Sequence, residues 1–188
     1  MNIRALAAIA AVLILTGCAS SPMKSSQKEN PRGAYLAQVA NPGCLPRSSI
    51  NNTLTPPVLY QGMVSCIKAN NLSDGVLLFA LAGSYSYFDA LRVDTDQARQ
   101  AHSTMLGEAL KSITSAQQQA FWREINGRFS NKQQLTALCG QLQDIGKPVY
   151  SPSYVQTSQG SVAPGDSQLW HRALNGYMHC STDVLSIR

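Results

Sequence analysis

The segment from Val76 to Gly83 is apolar or small on every side, and this feature constrains the fold more than any other in the chain. A helix without a polar face must lie at the centre of a domain, because each of its sides has to be covered. A buried strand over Val76–Leu81 is the alternative interpretation. The apolar character continues to Leu91 without a turn residue, and a run of that length favours a helix. The sequence therefore predicts a central buried helix.

The segments on either side of this helix carry apolar residues at helical spacing. Such stripes are typical of amphipathic helices that turn one face toward a core. One stripe comes before the central helix and four come after it: Leu59, Met63, Cys66 and Ile67; Ala98, His102, Met105, Ala109 and Ile113; Phe121, Ile125 and Phe129; Leu135, Leu138, Cys139, Leu142 and Ile145; Trp170, Ala173, Leu174 and Tyr177. Helix-capping residues are predicted from polar side chains at the segment ends, namely Ser73, Asp94, Thr114 with Gln117, Ser130 with Gln133, and Asp166.

These patterns predict an all-α fold, an irregular bundle of about five to six helices. The short connections predict antiparallel neighbours. The segment Tyr60–Ala90 has the size of one tetratricopeptide-type helical hairpin, so TPR-like packing is one version of this architecture, although no fixed repeat period runs through the chain.

The N-terminus has the pattern of an export signal. Eleven apolar residues, Ala5–Leu15, follow the basic Arg4. A membrane-spanning helix needs about 20 such residues, so the run fits the hydrophobic region of a signal peptide. An ordinary secretory signal, with a chance cysteine at position 18, is one interpretation of this segment.

Residues Leu15-Thr16-Gly17-Cys18 form an aliphatic residue, two small residues and a cysteine. In this the chain resembles bacterial lipoproteins, whose lipobox has that pattern. The resemblance implies cleavage after Gly17, a diacylglyceryl thioether on Cys18, and an acyl chain such as palmitate on the new amine. It also implies an outer-membrane anchor facing the periplasm, because no Asp follows Cys18. The predicted organisation is a signal peptide (1–17), a lipidated flexible tether (18–40) and one helical domain (41–188).

Four cysteines remain once Cys18 is assigned to lipid: Cys44, Cys66, Cys139 and Cys180. An even number in an exported chain indicates two disulfides, with three pairings open. The pairing Cys44–Cys66 with Cys139–Cys180 is favoured because it closes the shorter loops, and each bond would stabilise the fold by roughly 3–4 kcal/mol. A metal site is disfavoured, because no two cysteines have the spacing of zinc ligands.

Charge and motifs exclude several classes of function. The net charge of +5 falls to +4 when Arg4 is removed with the signal, and the basic residues are scattered, which argues against nucleic-acid binding. The sequence has no phosphate loop and no nicotinamide or flavin fingerprint, so no cofactor is predicted. The carboxylates Glu108 and Glu124 have the spacing of surface ion pairs with a following Lys111 and Arg128. No catalytic residue is predicted, and His102 is interpreted as a core histidine.

The candidate binding residues are aromatic and charged side chains in two segments. At the end of the central helix, Asp89 and Arg92 have the i, i+3 spacing of an ion pair, next to Tyr85 and Phe88; Tyr150 and Tyr154 lie in a Pro- and Gly-rich loop over 147–165. If buried, the ion pair would instead orient the turn after the helix. The predicted function is a non-enzymatic module that binds an unidentified envelope protein, of an accessory, pilotin-like or toxin-neutralising immunity type. A hydrolase acting on peptidoglycan or lipid is the alternative.

Overall fold

A computed structural model describes residues 35–155 and 162–181, and every regular element within these ranges is helical. Six α-helices follow in chain order: α1 (Pro56–Lys68), α2 (Leu72–Val93), α3 (Asp96–Lys111), α4 (Ser115–Ser130), α5 (Lys132–Ile145) and α6 (Ser167–Met178). Two short 3-10 helices, Leu36–Gln38 and Arg47–Ser49, precede α1. The described ranges contain no strand, so the all-α prediction is confirmed and the alternative strand over Val76–Leu81 is wrong.

Helix α2 is the centre of the domain, as its uniformly apolar sequence predicts. Every residue from Gly75 to Ser86 is buried, and α1, α3, α4, α5 and α6 all pack against this helix. Within the described ranges α2 is also the one helix that is long and apolar enough to cross a bilayer, but 78% of its most apolar window is buried inside the protein. The other helices cover its apolar surface, which is the arrangement of a core helix.

The helix caps confirm some of the sequence predictions and correct others. Thr114 and Gln117 form the predicted capping box at α4, and Asp166 accepts from the backbone N–H of Leu169 at 2.7 Å. Three caps lie one or two residues from the predicted position: Asn71 rather than Ser73, Thr95 rather than Asp94, and Asn131 rather than Ser130. Backbone conformation explains one of these, because Asp94 is left-handed (φ 48°) and ends α2 instead of starting α3.

Two disulfides have the favoured pairing. Cys44 bonds Cys66 with sulfurs 2.04 Å apart, which ties the irregular lead-in to α1. Cys139 bonds Cys180 with sulfurs 2.06 Å apart, which ties α5 to the residues just after α6. Each bond therefore joins an irregular segment to a helix of the bundle.

The first 3-10 helix, Leu36–Gln38, lies in the segment that the sequence assigns to the tether, and it packs against α1 and α3. Leu36 is buried, and the Glu108 carboxylate accepts from the backbone N–H of Tyr35 at 3.2 Å and of Leu36 at 2.9 Å. Those bonds satisfy amides at the start of the first 3-10 helix, which would otherwise lack partners. Glu108 is engaged there rather than in the predicted pair with Lys111.

Candidate functional site

A buried carboxylate organises the end of α2. Asp89 has no exposed surface, and its Oδ1 accepts from Nε of Arg92 at 3.0 Å, with a second guanidinium nitrogen 2.8 Å away. Oδ2 accepts from the hydroxyls of Tyr150 at 2.9 Å and Tyr154 at 2.7 Å. Both oxygens of the carboxylate are thus bonded, as burial of a charged group requires.

The two tyrosines belong to a segment that contacts the end of α2, residues 147–155, which we call the strap. Arg92 also donates to the backbone carbonyl of Tyr150 at 3.1 Å, and its own carbonyl accepts from the N–H of Ala163 at 2.8 Å. Lys147 donates to the carbonyl of Gly165 at 3.0 Å. The ion pair on α2 therefore holds the strap in place, while the Arg92 backbone carbonyl and Lys147 hold the residues before α6.

Burial and hydrogen bonding shift the pKa of Asp89 in opposite directions, whereas both raise the pKa of the two tyrosines. Burial raises the pKa of the Asp89 carboxyl above its ordinary value of 3.8, and this outweighs the lowering by the Tyr154 hydroxyl, Arg92 and Tyr150. Burial is also the main cause that raises the pKa of Tyr150 and of Tyr154, and the neighbouring carboxylate adds to it. Both tyrosines therefore remain protonated donors at neutral pH.

The aromatic candidates Tyr85 and Phe88 lie beside the same cluster. The Tyr85 hydroxyl donates to the carbonyl of Gly146 at 2.9 Å, and its ring packs against Tyr150 and Trp170. The Arg92 guanidinium lies 5.1 Å from the centre of the Phe88 ring, within the range of a cation–π interaction. The structure therefore brings together the six binding residues that the sequence singled out.

Their burial changes what these six residues can do. Tyr85, Phe88 and Asp89 have no exposed surface, so a partner cannot touch them in this conformation. The ion pair is buried and bonds to the strap, and its predicted role in orienting the turn after α2 stays a prediction. Whether the strap itself contacts a partner stays a prediction; Cys18 and residues 156–161 of the predicted loop lie outside the described residues.

A second polar cluster, which the sequence did not predict, surrounds His102. Its Nδ1 lies 2.5 Å from the Tyr60 hydroxyl, and its Nε2 lies 3.4 Å from the Tyr177 hydroxyl. Burial lowers the pKa of the imidazole, so the neutral ring is favoured. A neutral ring has one donor and one acceptor nitrogen, which fits one hydroxyl on each side.

A close contact between α2 and α6 positions Tyr177 in this cluster. A Cβ atom on Gly83 would come within 2.0 Å of the Tyr177 ring, so only glycine fits there. The sequence shows Gly83 among small residues that allow close helix approach, but nothing in the local pattern says that a tyrosine ninety-four residues later fills the space. Long-range partners of this kind have no local sequence signal.

The third candidate is an open pocket of about 450 Å³ between α4 and α5. Glu124 lies in its lining and accepts from Nε of Arg128 at 2.7 Å, so the ion pair predicted from the sequence is confirmed. The remaining lining residues are Gly127, Gln134, Ala137, Leu138 and Gln141. We call this the α4–α5 pocket.

Comparison with known proteins identified no relative of this chain. No protein-family model, no curated protein and no solved structure matches the chain. Within the described ranges, no group of three or more His, Cys, Asp or Glu side chains could hold a metal ion. The function must therefore be argued from the chain's own residues.

Proposed function

We propose that this chain is a lipoprotein anchored in the outer membrane through Cys18, and that its helical domain is a non-enzymatic protein-binding module in the periplasm. The lipobox residues Leu15-Thr16-Gly17-Cys18 support the anchor. The two disulfides support an oxidising compartment, because such bonds persist in the periplasm and are rare in the cytosol.

The observation that carries the choice of binding over catalysis is that the candidate acids and bases are used to hold the fold. Asp89 secures the strap, and Glu108 accepts from backbone amides near the start of the described chain. His102 lies between two tyrosine hydroxyls. A catalytic acid or base needs a proton-transfer path to substrate, and these contacts occupy the groups that would supply it.

The hydrolase alternative depends on Glu124, since this carboxylate lines the α4–α5 pocket. Glycoside hydrolysis ordinarily needs two carboxyl groups that flank the scissile bond. Glu124 is the one carboxylate among the described residues that line the pocket, and Arg128 holds it in an ion pair. A single paired carboxylate fits a binding surface better than it fits this reaction.

The strap offers the most exposed apolar contacts for a partner. Val149 on the strap is 62% exposed and Tyr87 on α2 is 40% exposed, and they are the large hydrophobic side chains that remain exposed in the described chain. Aromatic and aliphatic side chains of this kind anchor protein interfaces. An accessory, a pilotin-like and a toxin-neutralising immunity-type function of this chain are all compatible with such a surface.

The test is recovery of a specific partner from the producing cell. The full-length tagged protein would be crosslinked in cells and purified from detergent-solubilised envelope, beside a Val149→Asp variant. We expect one polypeptide that is enriched with the native chain and depleted with the variant. No specific polypeptide in repeated experiments would contradict the proposal. Release of soluble fragments from purified peptidoglycan or phospholipid, abolished by Glu124→Gln, would establish the hydrolase instead.

A further inference from the structure

His102 links α3 to three other helices of the bundle. Its Nδ1 lies 2.5 Å from the Tyr60 hydroxyl on α1, and its Nε2 lies 3.4 Å from the Tyr177 hydroxyl on α6. The imidazole also packs edge-on against the Tyr177 ring, with centroids 4.9 Å apart, and its centroid lies 6.5 Å from that of the Phe79 ring on α2. One partly exposed side chain on α3 therefore contacts α1, α2 and α6.

The two hydroxyls determine which nitrogen of His102 carries the proton. Tyr60 has no exposed surface, and within the described ranges Nδ1 is the one hydrogen-bond partner of its hydroxyl. A buried hydroxyl proton without an acceptor is costly, so Tyr60 donates to Nδ1 and the Nε2–H group donates to Tyr177. An imidazolium would place a second proton on Nδ1, opposite the Tyr60 proton. One of these two protons would then be buried without an acceptor, so the folded cluster opposes protonation of the ring.

Among the described residues, no charged group faces the ring to offset this cost. Tyr60 on α1 and Tyr177 on α6 are the titratable groups that face it, α2 presents an aromatic ring, and the first 3-10 helix has no titratable side chain. Burial raises the pKa of both tyrosine hydroxyls, so neither ionises near neutral pH. On α3 itself, Arg99 is engaged in exposed ion pairs and Glu108 accepts from backbone N–H groups. Burial lowers the pKa of His102, and a protonated ring is stable only where it reaches water.

Apart from His102, α3 is held mainly by small side chains. Its buried residues are three alanines and Met105, and an alanine methyl removes little apolar surface from water. The side chains of Glu108 and Gln97 bond to Tyr35, which lies outside the six helices. His102 is therefore the main polar attachment of α3 to α1 and α6.

We propose that α3 (Asp96–Lys111) is a flap that acid releases from the bundle. A proton from water adds to Nδ1 in place of the hydrogen bond from Tyr60, the imidazolium turns into solvent, and the contacts with α1 and α6 are lost together. Opening exposes the apolar faces that α1 and α2 turn toward α3. The flap needs no partner, so the inference goes beyond the proposed function and does not depend on it.

Hydrogen exchange of the full-length protein, purified in detergent from its producing cell, tests the flap. Mass spectrometry follows amide protection in α2, α3 and α5 between about pH 7.5 and about pH 5, corrected for the intrinsic exchange rate. Each pH unit below the ordinary histidine pKa of 6.5 favours the open form by up to about tenfold. We therefore expect the protection of α3 to fall about tenfold, while that of α2 and α5 changes by less than about twofold.

His102→Gln is the decisive variant, because a carboxamide can accept from Tyr60 and donate to Tyr177 but takes up no proton in this pH range. It should keep α3 protected in acid. His171→Gln is the matched control, since that histidine faces Gln143 on α5, and α3 of this variant should lose protection as in the native chain.

A measurement on the native chain makes the test independent of how the variants fold. NMR of the ring resonances follows the titration of His102, and its midpoint should coincide with the loss of protection in α3. Four results would overturn the inference: α3 protection that does not change with pH, an equal loss in α2 and α5, a loss that persists in His102→Gln, and a His102 midpoint that differs from that of the loss.

Discussion

Replacing Asp89 by alanine tests most sharply whether the strap is held by the buried ion pair. The change removes the acceptor of the Arg92 guanidinium and of the Tyr150 and Tyr154 hydroxyls. The Arg92 side chain is only 10% exposed, so its charge would be left without a partner in a largely buried site. Removing one partner of a buried ion pair costs about 3–5 kcal/mol, and the two orphaned hydroxyls move the value toward the upper end.

The assay is urea denaturation at pH 7 without reductant, followed by circular dichroism. A loss of about 3–5 kcal/mol is a large part of the 5–15 kcal/mol that stabilises a typical domain. Asp96→Ala is the matched control, because that carboxylate pairs with Arg99 but is 87% exposed. Its loss should stay below about 1 kcal/mol. A free energy of unfolding for Asp89→Ala within about 1 kcal/mol of the native chain would refute the reasoning.

Asp89→Asn provides a second measurement with a definite sign. Burial raises the pKa of Asp89 above 3.8, so the folded chain binds this proton more tightly than the unfolded chain. Stability from such a group is fully present below its unfolded pKa and is lost as pH rises through the raised value. The stability of the native chain relative to Asp89→Asn should therefore decrease as pH rises above 3.8 toward neutrality. An increase in this relative stability over the same pH range would show that burial does not favour the protonated form of Asp89.

Three further perturbations test the packing, the histidine cluster and the disulfides. Gly83→Ala should destabilise the fold by about 1–3 kcal/mol, because the new methyl group meets the ring of Tyr177. The control Gly107→Ala has no atom within 4 Å of the added Cβ and should stabilise the fold by about 0.5–1 kcal/mol. Urea denaturation compares the two variants, and equal changes in the free energy of unfolding would contradict the close contact at Gly83. The lowered pKa of His102 predicts that its contribution to stability is present above pH 6.5 and is lost as pH falls, so His102→Gln should flatten this slope in thermal melts recorded at several pH values. Serine at both ends of the Cys139–Cys180 bond should cost about 4 kcal/mol for a loop of 41 residues, and an unchanged denaturation midpoint would contradict that bond.

The sequence predicted the elements of this fold better than their connections. The positions of the helices could be predicted from the apolar run of Val76–Gly83 and from the apolar stripes around it, because helical periodicity is a local property of the chain. The capping box of Thr114 and Gln117 was visible for the same reason. The shift of the α3 cap from Asp94 to Thr95 was not, since neighbouring polar side chains can each cap and the backbone conformation decides between them.

The sequence predicted which residues belong to the candidate site but not how they contact one another. The i, i+3 spacing placed Asp89 and Arg92 together, whereas nothing in the local sequence joins them to tyrosines about sixty residues later. The contact between His102 and Tyr177 and the use of Glu108 at the start of the described chain are likewise tertiary. Contacts of this kind depend on how the helices pack against one another, and no residue spacing in a single sequence predicts that packing.

The intact mass of the protein from its producing cell, measured after thiol alkylation with and without reductant, tests the proposal that a disulfide-bonded helical domain is anchored by lipid at Cys18. We expect a chain that begins at Cys18 and carries three acyl chains. We also expect that no cysteine is alkylated before reduction and that Cys44, Cys66, Cys139 and Cys180 are all alkylated after it. A chain that keeps its leader, a Cys18 without lipid, or four thiols already free before reduction would contradict the proposal.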